Sequence, residues 1–281
     1  SIEIVRPFRW DVTRRSQLGR LVEIGPAPMT PELFLELARC CARVLAFAGD
    51  SDLVFVGRSP ESLFDLLSGF LEGTSRAGRA SLLNLSLKWT RPSRELEVAV
   101  APYLHGLGLS PAALARRPRP VAFVDVVWMG TTFERLVGLL YRWSEREKVR
   151  WPAVASRIRL VGLTERTKTS PKTWRWQQHA EWAGPLHRGA VKNVSVEPAL
   201  FQYLADLQPK TSVRFDAWRW RDPAVARPPR SKQALRALAL AFWLYDLGRA
   251  REGKTYFAAE LARQPAKWEA WFRSLILELK R

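Results

Sequence analysis

The segment that most constrains this chain is Pro120-Val121-Ala122-Phe123-Val124-Asp125-Val126-Val127. It is an apolar run of strand length, rich in β-branched residues and interrupted only by Asp125. Such runs mark a strand covered on both faces, because a half-exposed strand would alternate apolar and polar positions. The run passes through Trp128-Met129-Gly130-Thr131-Thr132 into a segment whose apolar residues, Phe133, Leu136, Val137, Leu139, Leu140 and Trp143, recur at helical spacing. An earlier stretch repeats the pattern. Asp52–Val56 is followed by Gly57-Arg58-Ser59-Pro60-Glu61 and then by Leu63, Phe64, Leu66, Leu67, Phe70 and Leu71. Further strands fit Leu82–Leu87, Ile158–Leu163 and, more weakly, Val191–Val196. Buried strands separated by helices imply an α/β fold with a doubly wound, mainly parallel sheet.

The remaining segments fill in this plan. Residues 1–30 alternate apolar and polar positions (Ile2, Ile4, Phe8, Trp10, then Leu21, Val22, Ile24) and read as one or two strands around an Arg-rich turn. Thr30-Pro31-Glu32 opens a helix that Gly49 ends, with Thr30 as N-cap. A helix is expected from about Ser93 to Leu107, kinked at Pro102, and another begins at Ser110-Pro111. Residues 164–190 and 207–230 read as long loops, of the kind that is either functional or disordered. From Ser231 the pattern is helical, divided by Gly253 and Pro265 into a three-helix cap. The expected organisation is therefore N-terminal strands over 1–30, an α/β domain over 31–205 and a helical tail over 231–281.

Composition narrows the chemistry. The only cysteines are the adjacent Cys40 and Cys41, which excludes a disulfide framework or spaced-Cys zinc site. They fall mid-helix, where core packing is favoured over nucleophilic chemistry. Three histidines (His105, His179, His187) make a His-rich metal centre improbable. No Gly-x-x-x-x-Gly-Lys-Ser/Thr phosphate loop and no Gly-x-Ser-x-Gly elbow occurs. The longest apolar stretch, Ala234–Leu247, is broken by Arg236 and Asp246, and the N-terminal residues are charged, so a cytoplasmic protein is expected. The net charge of +18 sits almost wholly in residues 141–281, which carry 28 Lys and Arg against 13 Asp and Glu. That excess suits a polyanionic partner or substrate, and equally a solvated basic surface.

Ligands of open parallel sheets bind beyond the carboxyl ends of the strands, so the turns at Gly57–Glu61 and Asp125–Thr132 are the candidate sites. In the second, Gly130 allows close backbone approach, and Thr131 and Thr132 present hydroxyls beside the free N–H groups of a helix N-terminus. Donors and helix dipole together suit a phosphate monoester. Asp125, just below, can accept hydrogen bonds from sugar hydroxyls, so the turn as a whole fits a ribose 5-phosphate. The same residues would also make the tight turn of any other doubly wound domain.

Val121-Ala122-Phe123-Val124-Asp125-Val126-Val127-Trp128-Met129-Gly130-Thr131-Thr132 resembles the phosphoribosyl pyrophosphate motif of type I phosphoribosyltransferases. In that motif apolar residues, two acidic residues, an aliphatic residue and two variable ones precede Thr-Gly-x-Thr. Asp125 takes the second acidic position, Val126 the aliphatic one, and Gly130 and Thr132 the glycine and last threonine. Val124 and Met129 stand where the family has its first acidic residue and first threonine. The resemblance covers roughly residues 30–200. It implies ribose and 5-phosphate binding by Asp125, Gly130, Thr131 and Thr132, with Asp125 the candidate catalytic carboxylate. It further implies pyrophosphate binding at Gly57, Arg58 and Ser59, and a mobile basic loop contributing Lys88, Arg91 and Arg94. A Mg²⁺ ion bridging pyrophosphate and ribose hydroxyls, and ribosyl-phosphate transfer to or from a base with inversion at the anomeric carbon, belong to the same implication.

The base would meet loops after the later strands, where Trp174, Arg175 and Trp176 alternate aromatic faces with a cation, followed by Trp182. Such residues can stack bases and neutralise phosphates, or can pack their rings on the core. Trp218-Arg219-Trp220-Arg221 repeats the pattern beside Arg227 and Arg230. The alternative function is therefore a basic nucleic-acid-binding protein on a catalytically degenerate phosphoribosyltransferase-like or other doubly wound fold.

Overall fold

The computed structural model describes residues 5–23, 29–87, 93–166, 176–183, 186–187 and 189–281. Its centre is a five-stranded sheet of β1 (Asp52–Val56), β2 (Ala80–Leu83), β3 (Val121–Val126), β4 (Ile158–Glu165) and β5 (Val191–Val196). All pairings are parallel and the spatial order is β2-β1-β3-β4-β5. β1 and β3 are neighbours, with Phe55 opposite Val124. The chain thus winds outward in one direction from β1 to β2 and in the other from β3 to β5, which opens a crevice where the order reverses. β2 begins two residues before the expected 82–87 strand and ends at Leu83, beyond which residues 84–87 lie outside the sheet.

Successive strand residues feed two cores. Leu53, Phe55, Ala122 and Val124 face one cluster, formed with α2 (Pro31–Ala48) and α3 (Glu61–Leu71). Val54, Val56, Val121 and Phe123 face the other, formed with α4 (Arg94–Gly106), α5 (Pro111–Arg116), α6 (Thr131–Arg146) and α7 (Trp151–Ala155). Several caps are as the sequence implies: the hydroxyls of Thr30, Ser93 and Ser110 accept from the amides of Leu33, Leu96 and Ala113. The stretch Arg94–Arg116 is apolar and long enough to cross a membrane by composition. It folds as the two helices α4 and α5, and Pro102 is accommodated within the first.

Two expectations fail. The described part of residues 1–30 forms no strand: Arg15–Leu18 is a single helical turn, α1, and Gly19–Glu23 a 3-10 turn. Its apolar residues alternate because they meet different neighbours. Val12 and Leu18 pack on Leu238, Ala241 and Tyr245, while the amides of Val5 and Phe8 donate to Trp220 and Val225 carbonyls. A short helix, α8 (Pro198–Gln202), follows β5; in the tail, the helix break falls at Ala250, between α9 (Lys232–Arg249) and α10 (Arg251–Ala262), not at Gly253, and α11 (Ala270–Leu279) follows Pro265–Trp268. Gly253 lies inside α10, where a Cβ would sit 2.0 Å from the Leu247 carbonyl oxygen. α9 crosses α3 in backbone contact: a Cβ on Gly69 would lie 2.2 Å from the Tyr245 carbonyl oxygen, and one on Gly248 2.6 Å from that of Leu66. With Leu240, Leu244, Phe257, Phe272 and Leu275 in the same core as Phe55 and Phe70, the tail forms the outer part of one helical layer.

Candidate functional site

Both candidate turns open into one cleft at the carboxyl ends of β1, β2 and β3. A cavity of about 280 Å³ is lined by Gly57, Arg58 and Ser59 from the first turn and by Asp125, Val126, Trp128 and Thr132 from the second. Lys210, Arg214, Asp206 and Phe215 complete its wall. A second hollow of about 300 Å³ runs along Asp125–Phe133 and includes Gly130 and Thr131.

The second turn has the donors an anion needs. Val127 still donates to the sheet, at 2.9 Å from the Leu163 carbonyl oxygen, and the next intrahelical bond is Glu134 to Gly130. Between them, the amides of residues 128–133 meet no acceptor among the described residues, and no side chain caps α6. Gly130 is the N-cap, in the left-handed region at φ 77°. Its missing Cβ also makes room for Trp176, whose Cε3 would be 2.3 Å from a side chain there. Asp125 is 7% exposed, and its Oδ1 accepts from the Val126 amide at 2.8 Å. Trp128 lines both hollows, is 61% exposed and meets Phe201 edge-on.

Trp176 is not a surface platform. It is 2% exposed, its Nε1 donates to Asn193 Oδ1 at 2.7 Å, and its ring lies against Trp182 and Phe133. It supports the back of the Gly130 turn, so the expected base-stacking contact is corrected to a packing one. Trp174 and Arg175 lie outside the described residues, as do Lys88 and Arg91. Arg94 begins α4 and faces away from the cleft, toward a groove shared with Trp218 and Arg221. Val124 is fully buried in the core, so β3 ends in one carboxylate.

The first turn is built differently from expectation. The Gly57 amide continues the sheet, donating to the Leu83 carbonyl, so this glycine supplies the turn (φ 74°) and no free donor. The Ser62 amide, at the start of α3, donates to Gln208 Oε1 at 3.2 Å, which takes one of that helix's free donors. Arg58 remains available. Its guanidinium donates to the Ser212 carbonyl at 3.3 Å and makes no ion pair among the described residues. Burial lowers its pKa, Glu61 opposes the fall, and nearby Arg214 adds to it.

Lys210 was not anticipated. A lone lysine within a long loop carries no periodic signal, and only the fold brings it here. Its Nζ donates to the Leu204 carbonyl at 3.0 Å, and it too lacks an ion pair among the described residues. Burial brings its pKa down to about 8, against the pull of Glu61. The cavity thus brings together two half-buried cations that make no ion pair among the described residues and the carboxylates of Asp125 and Asp206, which act with Glu61 to hold the Lys210 pKa up. Elsewhere, burial pushes the Cys40 thiol up to about 12 and raises Cys41 further from reactivity.

Fold and site together define an α/β protein with a cleft, lined by charged side chains, at the switch point of a parallel sheet. No family model matches the chain, and no curated protein or solved structure shows significant similarity to it.

Proposed function

We propose that this is a phosphoribosyltransferase-like protein whose cleft binds a phosphoribosyl compound, either phosphoribosyl pyrophosphate or a nucleotide. The observation that carries the reading is the convergence of two strand-end turns on one cavity. The amides of residues 128–133 and the Thr131 and Thr132 hydroxyls would take the 5-phosphate. Asp125 would accept from the ribose hydroxyls, and Arg58 would meet the pyrophosphate. Transfer to a base would break the bond between the anomeric carbon and the pyrophosphate oxygen, which leaves with the electron pair. A base nitrogen would form the new bond on the opposite face, inverting the centre.

The residues present fit a Mg²⁺ ion held mainly by its ligand. Among the described residues no group of three or more His, Cys, Asp or Glu converges, but Asp125 and Asp206 both line the cavity. Mg²⁺ commonly takes one or two carboxylates together with substrate phosphates. Bound there, it would neutralise charge on the departing pyrophosphate.

Calorimetry with phosphoribosyl pyrophosphate and Mg²⁺ tests the reading. Wild type should bind, and Asp125→Ala should bind at least about tenfold more weakly, the loss of a charged hydrogen-bond acceptor. Absence of heat with wild type overturns it.

One surface favours a second reading, binding of nucleic acid. Trp218 is 70% exposed with the Arg219 guanidinium 4.5 Å from its ring, and it borders a surface groove of about 700 Å³ that also carries Arg94 and Arg221. An exposed ring among cations suits stacking of single-stranded bases. In that case oligonucleotide affinity falls steeply with salt, and Trp218→Ala weakens it by about 1–3 kcal/mol. A flat salt dependence rules this out.

A further inference from the structure

Residues 207–230 read in the sequence as a long loop, yet the 203–216 segment is fastened to the first turn of the cleft by a buried polar network. The Glu61 carboxylate, 3% exposed, accepts from the Thr211 amide at 2.8 Å, the Thr211 hydroxyl at 2.7 Å and the Ser212 hydroxyl at 2.7 Å. Gln208, 2% exposed, receives hydrogen bonds from the Ser62 amide and hydroxyl, and its own amide donates to the Ser59 and Leu204 carbonyls. The Phe215 carbonyl accepts from the Ser86 amide at 3.1 Å, tying the segment to the exit of β2 as well. A satisfied network of this kind fixes a segment rigidly, because each buried group would lose its partner if the segment lifted.

What this anchoring holds in place is a cation. Lys210 lies between Gln208 and Thr211, so fixing those two residues fixes its stem, and it lines the same cavity as Arg58, Ser59 and Asp125. The charged groups around it are Glu61, Arg58, Asp206 and Asp125, with Arg214 across the cavity. Glu61 is engaged by three donors, and Arg214 is paired with Asp216 at 2.9 Å. Arg58 and Lys210, from two segments about 150 residues apart in sequence, make no ion pair among the described residues, although Asp125 and Asp206 line the same cavity.

We infer that Lys210, carried by the 203–216 segment, binds the second anionic group of the ligand together with Arg58, so that the cleft selects sugar phosphates bearing a further phosphoryl or pyrophosphoryl group over simple monophosphates. The inference rests on the phosphoribosyl reading for the sugar, but the anion subsite stands on its own residues. It moves recognition of the second anion from the α3 N-terminus, whose Ser62 amide is occupied by Gln208, to a segment that follows the last strand.

Two probes separate the parts: pyrophosphate for the Arg58–Lys210 end and ribose 5-phosphate for the Gly130 end. Calorimetry on the full chain compares wild type with Lys210→Gln, which keeps a donor for the Leu204 carbonyl, and with Lys210→Arg, which keeps the charge; thermal melts check folding. Lys210→Gln should weaken pyrophosphate by about tenfold or more, as for loss of a charge-assisted contact, while ribose 5-phosphate changes by less than about twofold. Lys210→Arg should restore most of the pyrophosphate affinity. Equal pyrophosphate affinity in wild type and Lys210→Gln overturns the inference, as does equal weakening of both probes, the mark of a purely structural role. Wild type that binds pyrophosphate but neither ribose 5-phosphate nor phosphoribosyl pyrophosphate overturns the sugar reading, while the Lys210 comparison still decides the anion subsite. Should Lys210→Gln not fold, Lys210→Arg losing pyrophosphate affinity as fully as Arg58→Met overturns the inference.

Discussion

The two ends of the sheet treat their arginines in opposite ways. At the amino-terminal end of β1, Asp50 and Asp52 gather a cluster: Arg76 and Arg79 on Asp50, and Arg79 and Arg117 on Asp52 at 2.9 and 2.5 Å, with Arg119 at 3.7 Å. Arg76 also lies over the Trp271 ring at 3.8 Å, linking that end to the helical tail. At the carboxyl end, Arg58 and Lys210 share a cavity and neither has a carboxylate within ion-pair distance among the described residues. The difference lies in contact: the first end closes its arginines onto two carboxylates in direct ion pairs, whereas Arg58 and Lys210 share their cavity with Asp125 and Asp206 without pairing with them among the described residues. Paired charges at the first end hold strands and tail together; on the proposed reading, half-buried unpaired ones at the second lower stability in the empty protein and would be relieved by an anion.

Replacing one residue at each end tests this contrast most directly. Asp52→Ala strips partners from Arg79 and Arg117 at a site where the carboxylate is only 21% exposed. Urea unfolding should show a loss of about 2 kcal/mol, since each arginine loses a charge-assisted bond and Asp50 alone is left to offset the cluster's arginines. Pyrophosphate affinity should not change. Arg58→Met should do the reverse. Affinity falls by about tenfold or more, while stability holds or rises by up to about 1 kcal/mol, because a half-buried cation without a carboxylate is replaced by an apolar chain of similar length. If Arg58→Met were as destabilising as Asp52→Ala, the carboxyl end would be structural like its counterpart.

How far the chain could be read without coordinates follows the same division. β1, β3 and the helices after them were legible because buried parallel strands write themselves as unbroken apolar runs, and Thr30, Ser93 and Ser110 mark helix starts by local chemistry alone. The Asp125–Thr132 turn was legible for the same reason: its donors, hydroxyls and glycine are consecutive. Residues 5–23 misled because alternation there reflects contacts with α9 and with residues 220–225, not a pleated strand. Trp176 misled because an indole between polar neighbours looks exposed until a partner such as Asn193 is found for its nitrogen. Lys210 and Gln208 were illegible in principle. Their roles depend on Glu61, Ser62 and Arg58, about 150 residues earlier, and no local pattern encodes a contact at that range.

The smallest effect is in pH, and it separates the two ends by the window in which stability changes and by the charge state that the fold favours. At the amino-terminal end burial raises the carboxyl pKa of Asp52, but hydrogen bonds from Arg117 and Arg79 outweigh it and leave the value below the ordinary 3.8; Asp50 is lowered likewise, burial being outweighed by Arg79 and Arg76. Their stabilisation is full above that ordinary value and is lost as pH falls through the depressed one. At the carboxyl end the slope keeps the same sign but lies in an alkaline window, and there it is the charged form that the fold disfavours. Lys210 has a pKa brought from 10.5 down to about 8, chiefly by burial. Below about pH 8 the empty protein carries a buried charge in full. Between about 8 and 10.5 the folded protein has released that proton and the unfolded chain still holds it, so unfolding takes up a proton and stability rises with pH. Affinity for pyrophosphate moves the other way in the same window, because the neutral amine no longer attracts it. Other titrations of protein and ligand overlie both trends, so the readout is the difference between wild type and Lys210→Arg, whose guanidinium stays charged throughout. Relative to that variant, wild type should gain stability and lose pyrophosphate affinity as pH rises from about 8 to about 10. Parallel curves for the two proteins would mean that Lys210 keeps its proton in the fold, and hence that the carboxyl end is better compensated than its geometry implies.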